Sequence, residues 1–211
     1  MYSSPYFMSN VTIIGGGPAG ASAAVRLAQN GHSVTLFEKS TFPRPKLCGG
    51  FLSHEALECL SELDVLRALK VAGAVRLSRA VLASCGGTVV ESALPGESLS
   101  VTRDVLDDLL LRQAAARGVT VKYEDYDDRS VRSGEITVMA GGRLGALRER
   151  WPLTPWYASP STPYFGIQAS FEDVDDVTDQ VELDLIESGY VGLARQSDRL
   201  VNICALTTPL S

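Results

Sequence analysis

A β-branched apolar run, Val11-Thr12-Ile13-Ile14, runs into three glycines, and an alanine-rich stretch follows it. The run predicts a buried parallel strand. Ala21 to Gln29 predicts a helix, and Asn30-Gly31 predicts its C-terminal stop. Ser33 to Glu38 predicts a second strand, so the chain opens with strand, glycine turn, helix and strand, one βαβ unit. Thr41 to Gly50 holds Pro43, Pro45 and a Gly49-Gly50 pair and predicts a loop. Leu57, Leu60, Leu63, Leu66 and Leu69 recur at helical spacing within His54 to Ala72, with a break expected near Asp64.

Further along, Val75 to Leu94 predicts two strands around Cys85-Gly86-Gly87. Thr102 is a candidate N-cap for a helix from Arg103 to Arg117 that stops at Gly118. Val119 to Tyr123 and Ile136 to Ala140 predict strands, and the acidic stretch Glu124 to Asp128 a solvated turn. Trp151 to Pro163 holds four prolines and predicts irregular structure. Gly166 to Glu172, Val181 to Ile186, Tyr190 to Leu193 and Leu200 to Leu206 predict strands of a largely antiparallel sheet. The order is α/β first and β-rich afterwards.

Composition narrows the function classes. Hydrophobic residues are 45% and charged residues 21% of the 211, the balance of a globular chain rather than a disordered one. A net charge of −6 gives no electrostatic footing for nucleic acid, and the loose cluster Arg143, Arg148 and Arg150 is interrupted by Glu149. No apolar run has the length of a membrane span. Met1 to Ser9 have neither the basic nor the apolar part of a signal peptide, so a cytoplasmic location is expected. Cys48, Cys59, Cys85 and Cys204 form no CxxC pair, and with only His32 and His54 beside them no metal site is expected. At least three of the four cysteines are expected to be small buried apolar residues.

Gly15, Gly17 and Gly20 spell G-x-G-x-x-G, written GGGPAG with Pro18 and Ala19 inside it. Each glycine has a mechanical role. Gly15 permits the tight turn off the strand, Gly17 lets a pyrophosphate reach the backbone, and Gly20 lets helix and strand pack closely. The helix N-terminus offers unpaired N–H groups and partial positive charge to the phosphates. Glu38, at the end of the second strand and just before Lys39, can accept hydrogen bonds from ribose hydroxyls and would repel a 2′-phosphate. Strand before, helix after and carboxylate at the second strand end together predict a dinucleotide site.

Val11 to Ser40 resembles the N-terminus of the large FAD-dependent group that includes aromatic-ring monooxygenases, flavin halogenases and geranylgeranyl reductases. The loop Phe42-Pro43-Arg44-Pro45-Lys46-Leu47-Cys48-Gly49-Gly50 resembles the P-x-x-K-x-C-G loop of the geranylgeranyl reductase-like branch. Val101-Thr102-Arg103-Asp104-Val105-Leu106-Asp107 resembles that branch's R-x-x-L-D helix start. Gly189 to Leu193 and Val201 to Cys204 are similar to its substrate-domain strands. The resemblance implies FAD as cofactor. It implies that Lys46, Gly49 and Arg103 reach toward FAD, and that Cys48 lies near the flavin ring, where its thiol could protonate substrate or shape the pocket. A cation at a helix start opposes the macrodipole, which an anionic cofactor beside Arg103 would offset.

Ile136 to Arg148 resembles a second fingerprint of the group, strand, Asp-Gly, Ser, then Arg, but Gly141 stands at the aspartate position and Gly145 at the serine; Gly142 and Arg148 remain. This departure bears on nicotinamide handling, with NAD(P)H as the candidate electron donor. The group's later Gly-Asp segment has no counterpart before Ser211. The chain therefore resembles the first part of a longer protein, completed by a missing C-terminal segment or a partner chain, and by itself is expected to turn over poorly. The expected fold is α/β, a Rossmann-like FAD-binding domain over residues 9–72 and 101–150 with a β-rich substrate layer over 73–100 and 151–211. The expected function is an FAD-dependent oxidoreductase acting by hydride or electron transfer on a small apolar or aromatic molecule. The alternatives are a flavin monooxygenase or halogenase, in which reduced flavin activates oxygen, and a non-catalytic FAD-binding fragment.

Overall fold

The computed structural model describes residues 8–127, 136–142 and 164–208. The apolar run opens the first unit as β1 (Asn10–Ile14), followed by α1 (Pro18–Gln29) and β2 (Ser33–Phe37). Val11 and Ile13 of β1, with Val34 and Leu36 of β2, are buried, as the covered faces of parallel strands require. α1 buries Ala21, Ala24 and Val25, small residues that let the helix lie close to the sheet. It stops as predicted: Gly31 N–H donates to Ala28 O at 3.0 Å and His32 N–H to Leu27 O at 3.1 Å, the paired bonds of a Schellman cap.

A longer helix, α4 (Arg103–Ala116), adds Leu110, Leu111 and Ala114 to this core. Two more strands, β6 (Thr120–Lys122) and β7 (Ile136–Met139), complete a sheet ordered β6-β2-β1-β7 among the described residues, every pair parallel. Phe37 at the end of β2 meets Tyr126 edge-on at 4.9 Å between ring centroids.

The second unit is built on a mixed sheet of β3 (Phe51–Leu52), β4 (Val75–Ser84), β5 (Val89–Ser100), β8 (Phe165–Glu172), β9 (Gln180–Ile186), β10 (Gly189–Arg195) and β11 (Leu200–Thr207). Its order is β3-β5-β4-β9-β10-β11-β8. The expected antiparallel pattern holds for its pairs except β4 with β9, which run parallel. The two-residue β3 escaped the sequence, because Phe51-Leu52 is too short to show alternation. The predicted helical stretch divides into α2 (His54–Glu62) and α3 (Leu66–Val71), with Asp64 between them at φ +59°. Among the described residues no helix is long and apolar enough to cross a membrane.

Of the described residues, 8–43, 107–127 and 136–142 fall in the first compact unit and 44–106 and 164–208 in the second. Residues 44–72 and 101–106, assigned from sequence to the flavin-binding domain, thus group with the mixed sheet, since the loop after Pro43 hydrogen-bonds to β8 and β11. The expectation of buried cysteines is overturned. Cys59 and Cys85 are exposed, and Cys48 and Cys204 half-buried. Cys59 lies on the outer face of an amphipathic helix and Cys85 in the β4–β5 turn, positions whose neighbours carry the apolar pattern instead. The segment 151–163, Gly145, Arg148 and the basic cluster 143–150 lie outside the described residues.

Candidate functional site

In the first unit the glycine turn is built from mutually exclusive volumes. Gly15 has φ +108°, and a Cβ on it would fall 2.3 Å from Ala140 O. A Cβ on Gly20 would fall 1.8 Å from Gly15 O, so the helix approaches the turn as closely as backbone allows. Gly15 N–H donates to Phe37 O at 2.8 Å, tying the end of β1 to the end of β2. Gly17 differs from both. It is the N-cap of α1, with φ −72° and ψ −178°, angles open to any residue. Backbone strain therefore gives no reason for glycine there, whereas an approaching ligand would.

No side chain caps α1, and Pro18 at its first position has no N–H. The next amides, Ala19 and Gly20, lie in the first turn, where no intrahelical acceptor exists. The first turn holds no acidic residue, so the positive end of the helix is left to an external anion.

Glu38 is 7% exposed. Its Oε2 accepts Gly16 N–H at 2.8 Å and its Oε1 accepts Ser40 N–H at 2.9 Å. A carboxylate has about four acceptor positions, so roughly two remain for hydroxyls of a ligand. Gly16, which the motif did not single out, supports the Glu38 carboxylate through its N–H. A Cβ on Gly16 would meet Glu38 Cβ at 3.0 Å and Leu111 Cδ2 of α4 at 3.1 Å, so a side chain there would crowd both the carboxylate and the helix behind the turn. The middle glycine of the run was its signal. Lys39 is exposed beside Glu38, and Gly142 is exposed at φ +74° after β7.

The second unit carries the other predicted residues. The loop 44–50 is held by three amide side chains. Cys48 N–H donates to Gln168 Oε1 of β8 at 2.8 Å, and Asn202 Nδ2 of β11 donates to Cys48 O at 3.1 Å and to Gly49 O at 3.3 Å. Gln196 Nε2 reaches Gly49 O at 3.5 Å and Val101 O at 3.4 Å, while Val101 N–H donates to Gly50 O at 3.0 Å. Asn202 is 1% exposed inside an apolar strand. That misplaced polar residue was the legible signal for the clamp. Gln168 and Gln196, lying in exposed-looking sequence, offered none. Lys46 is half-buried, and Pro45, Lys46 and Leu47 face Gly166 to Ser170 across a groove of about 450 Å³. Arg103, half-buried, opens α4, and Thr102 O accepts the Leu106 N–H at 3.1 Å to start its first turn.

A parallel βαβ unit with a glycine cradle, an uncapped helix N-terminus and a buried carboxylate at the second strand end defines a dinucleotide-binding α/β protein. The model of the FAD binding domain family matches residues 8–146, more than half of the chain, and the chain belongs to that family. Among curated relatives, flavin-dependent halogenase armH1 of Armillaria mellea is 37% identical over 125 residues, 55% of this chain and 23% of the relative. Menaquinone reductase of Mycobacterium tuberculosis (strain H37Rv) is 31% identical over 147 residues, 65% of this chain and 35% of the relative. The same fold occurs in a triple mutant of flavin-dependent brominase Bmp2, at TM-score 0.82 and 18% identity over 93% of this chain and 56% of that one. It occurs also in the flavin-dependent halogenase CmlS, at TM-score 0.79 and 24% identity over 96% of this chain and 42% of that one. The chain thus spans about a quarter to a third of these curated relatives and about half of these solved chains.

Proposed function

We propose that this chain holds FAD by its first unit and presents substrate on its second, as part of an FAD-dependent oxidoreductase of the geranylgeranyl reductase-like branch. The observation that carries the cofactor reading is Gly17, a glycine whose backbone does not need to be one, placed at an uncapped helix N-terminus inside an FAD binding domain. The Ala19 and Gly20 amides and the α1 dipole bind the pyrophosphate. Glu38 orients the ribose through its remaining lone pairs while Gly16 and Ser40 fix the carboxylate. When bound, FAD would supply the two-electron chemistry acting on the substrate. Lys46, Gly49, Arg103, Lys39 and Gly142 are candidate cofactor contacts, and NAD(P)H a candidate electron donor.

The reductase reading draws on the menaquinone reductase relative and on the Lys46-x-Cys48-Gly49 loop. The clamp of Gln168 and Asn202 fixes Cys48 through both its backbone polar groups, which would hold its thiol in one place for proton delivery to substrate. The open groove beside it has Pro45, Leu47 and Ile167 among its walls, with Lys46, Gln168 and Ser170, and its apolar walls support an apolar or aromatic substrate. A second reading, oxygenation or halogenation, has its own support in the 37% identity to armH1.

One experiment separates them. The FAD-loaded protein is reduced with dithionite without oxygen and mixed with a quinone carrying an isoprenoid tail. Recovery of the oxidised flavin spectrum before oxygen is admitted, with the tailed substrate reduced, is the expected result. Recovery only on admitting oxygen, with a hydroxylated or halogenated product, would favour the second reading, and no product under either condition would leave a nucleotide-binding chain without chemistry.

A further inference from the structure

Side chains alternate between the two faces along a strand, so Asn202 and Cys204 of β11 share one face. Gln168 of β8 stands directly opposite Cys204 in the register and shares that face too. Two of these three side chains hold the backbone of Cys48, Gln168 at its N–H and Asn202 at its carbonyl. The third, Cys204, therefore faces the same loop. Its Sγ lies 3.5 Å from the point that a Cβ on Gly49 would occupy. The Sγ of Cys48 accepts the N–H of Gly50 at 3.4 Å. Two thiols remote in sequence thus border the same glycine.

We propose that Cys48 and Cys204 form a redox-active thiol pair, oxidised by a hydroperoxide to a disulfide that ties the 44–50 loop to β11. Their settings assign the order of events. Burial first, and the neighbouring Cys48 second, push the Cys204 thiol up, with partial relief from the Gly192 backbone. Cys204 is therefore the slower nucleophile at neutral pH. Cys48 sits on the loop, with its sulfur already engaged by a backbone N–H, and reacts first.

With hydrogen peroxide, the Cys48 sulfur attacks one oxygen and the O–O bond breaks. One oxygen stays on sulfur as sulfenic acid and the other leaves as water. The Cys204 sulfur then attacks the Cys48 sulfur, the S–O bond breaks, and the departing hydroxide takes the Cys204 proton as a second water. The two thiols lose two electrons and two protons, and the peroxide gains both. The product withdraws Cys48 from any proton delivery until a reducing thiol reopens the bond. A disulfide also requires its Cα atoms within about 7 Å, so closure reports that the loop reaches β11.

This inference rests on the second unit alone and is tested without FAD. The purified 211-residue chain is treated with a small excess of hydrogen peroxide, its free thiols are counted, and its peptides are mapped without reduction. The expected result is loss of two of the four thiols, with one intramolecular link between the Cys48 and Cys204 peptides that dithiothreitol reverses; the exposed Cys59 and Cys85 serve as internal controls. In Cys204→Ser, sulfenic acid on Cys48 accumulates and is trapped by dimedone. In Cys48→Ser, Cys204 stays reduced over the same interval. Oxidation of Cys48 to sulfinic acid beside an intact Cys204, or cross-linking of Cys59 or Cys85 ahead of this pair, would overturn the proposal.

Discussion

At the scale of single residues, the glycine turn separates two reasons for being glycine. Gly20 is required by the fold, because a Cβ there would overlap Gly15 O. Gly17 is free of that constraint in its backbone angles. Gly20→Val is therefore expected to destabilise the chain by more than about 2 kcal/mol in urea unfolding, as forced overlap in a packed site does. Gly17→Val is expected to keep its unfolding midpoint and to lose at least about tenfold in FAD affinity, about 1.4 kcal/mol. Glu38→Gln exchanges one accepting oxygen for an amide that faces a backbone N–H of Gly16 or Ser40. It should cost about 1–3 kcal/mol of stability, the penalty for an unpaired buried donor. Equal stability of Glu38→Gln and the parent would mean that the carboxylate is not what orders the turn. Asn202→Ala strips a donor from two loop carbonyls at once and should lower stability by a similar amount, readable in the same unfolding experiment.

At the scale of elements, most boundaries were legible because each element is punctuated by chemistry that has one reading. Asn30-Gly31 stops α1, Cys85-Gly86-Gly87 turns β4 into β5, and the alternation after Phe165 marks four strands in succession. What was not legible depends on pairing between distant segments. Nothing local shows that β4 and β9 run parallel, that β5 continues through Pro95 to Ser100, or that Gln168 and Asn202 grip the 44–50 loop. The parallel joint has its own device. β4 bulges between Leu77 and Arg79, and Asp179 O accepts both the Ser78 N–H at 2.8 Å and the Arg79 N–H at 3.3 Å. The Asp179 carboxylate also accepts from Ser78 Oγ and from the Arg79 guanidinium, and these bonds hold it near about 2, below its ordinary 3.8. A depressed folded value means that the stabilisation is full above about pH 4 and is lost as the pH falls through about 2. Because the pair is well exposed, the expected size is below about 1 kcal/mol. Asp179→Asn should flatten stability across that acid window and leave it unchanged in shape above it. An acid profile identical to the parent's would place the acid-sensitive group elsewhere.

At the scale of the whole molecule, the chain divides its chemistry between its two units. The first holds the uncapped N-terminus of α1 and the buried Glu38 carboxylate, and the second a clamped cysteine loop beside a groove with Pro45, Leu47 and Ile167 among its walls. A dinucleotide site was readable from the glycine spacing with Glu38, because those residues are local to one βαβ unit, whereas FAD in particular was implied by the resemblance of the 42–50 loop and the Arg103 helix start. The 44–50 loop was readable only as a motif, since its geometry comes from strands more than a hundred residues downstream.

FAD binding by the first unit, through the Gly17 approach, is read most directly by an equilibrium titration of FAD into the purified chain. Flavin absorbance and the thermal unfolding midpoint are followed together, with NAD and the Gly17→Val variant in parallel. A ligand at 100 times its dissociation constant stabilises its fold by about 2.7 kcal/mol, a shift well within reach of such an experiment. The expected result is one FAD per chain, a raised midpoint with FAD, none with NAD at the same concentration, and a clearly smaller rise for Gly17→Val with FAD. A folded chain that ignores FAD, or a Gly17→Val protein that binds FAD as tightly as the parent, would contradict it.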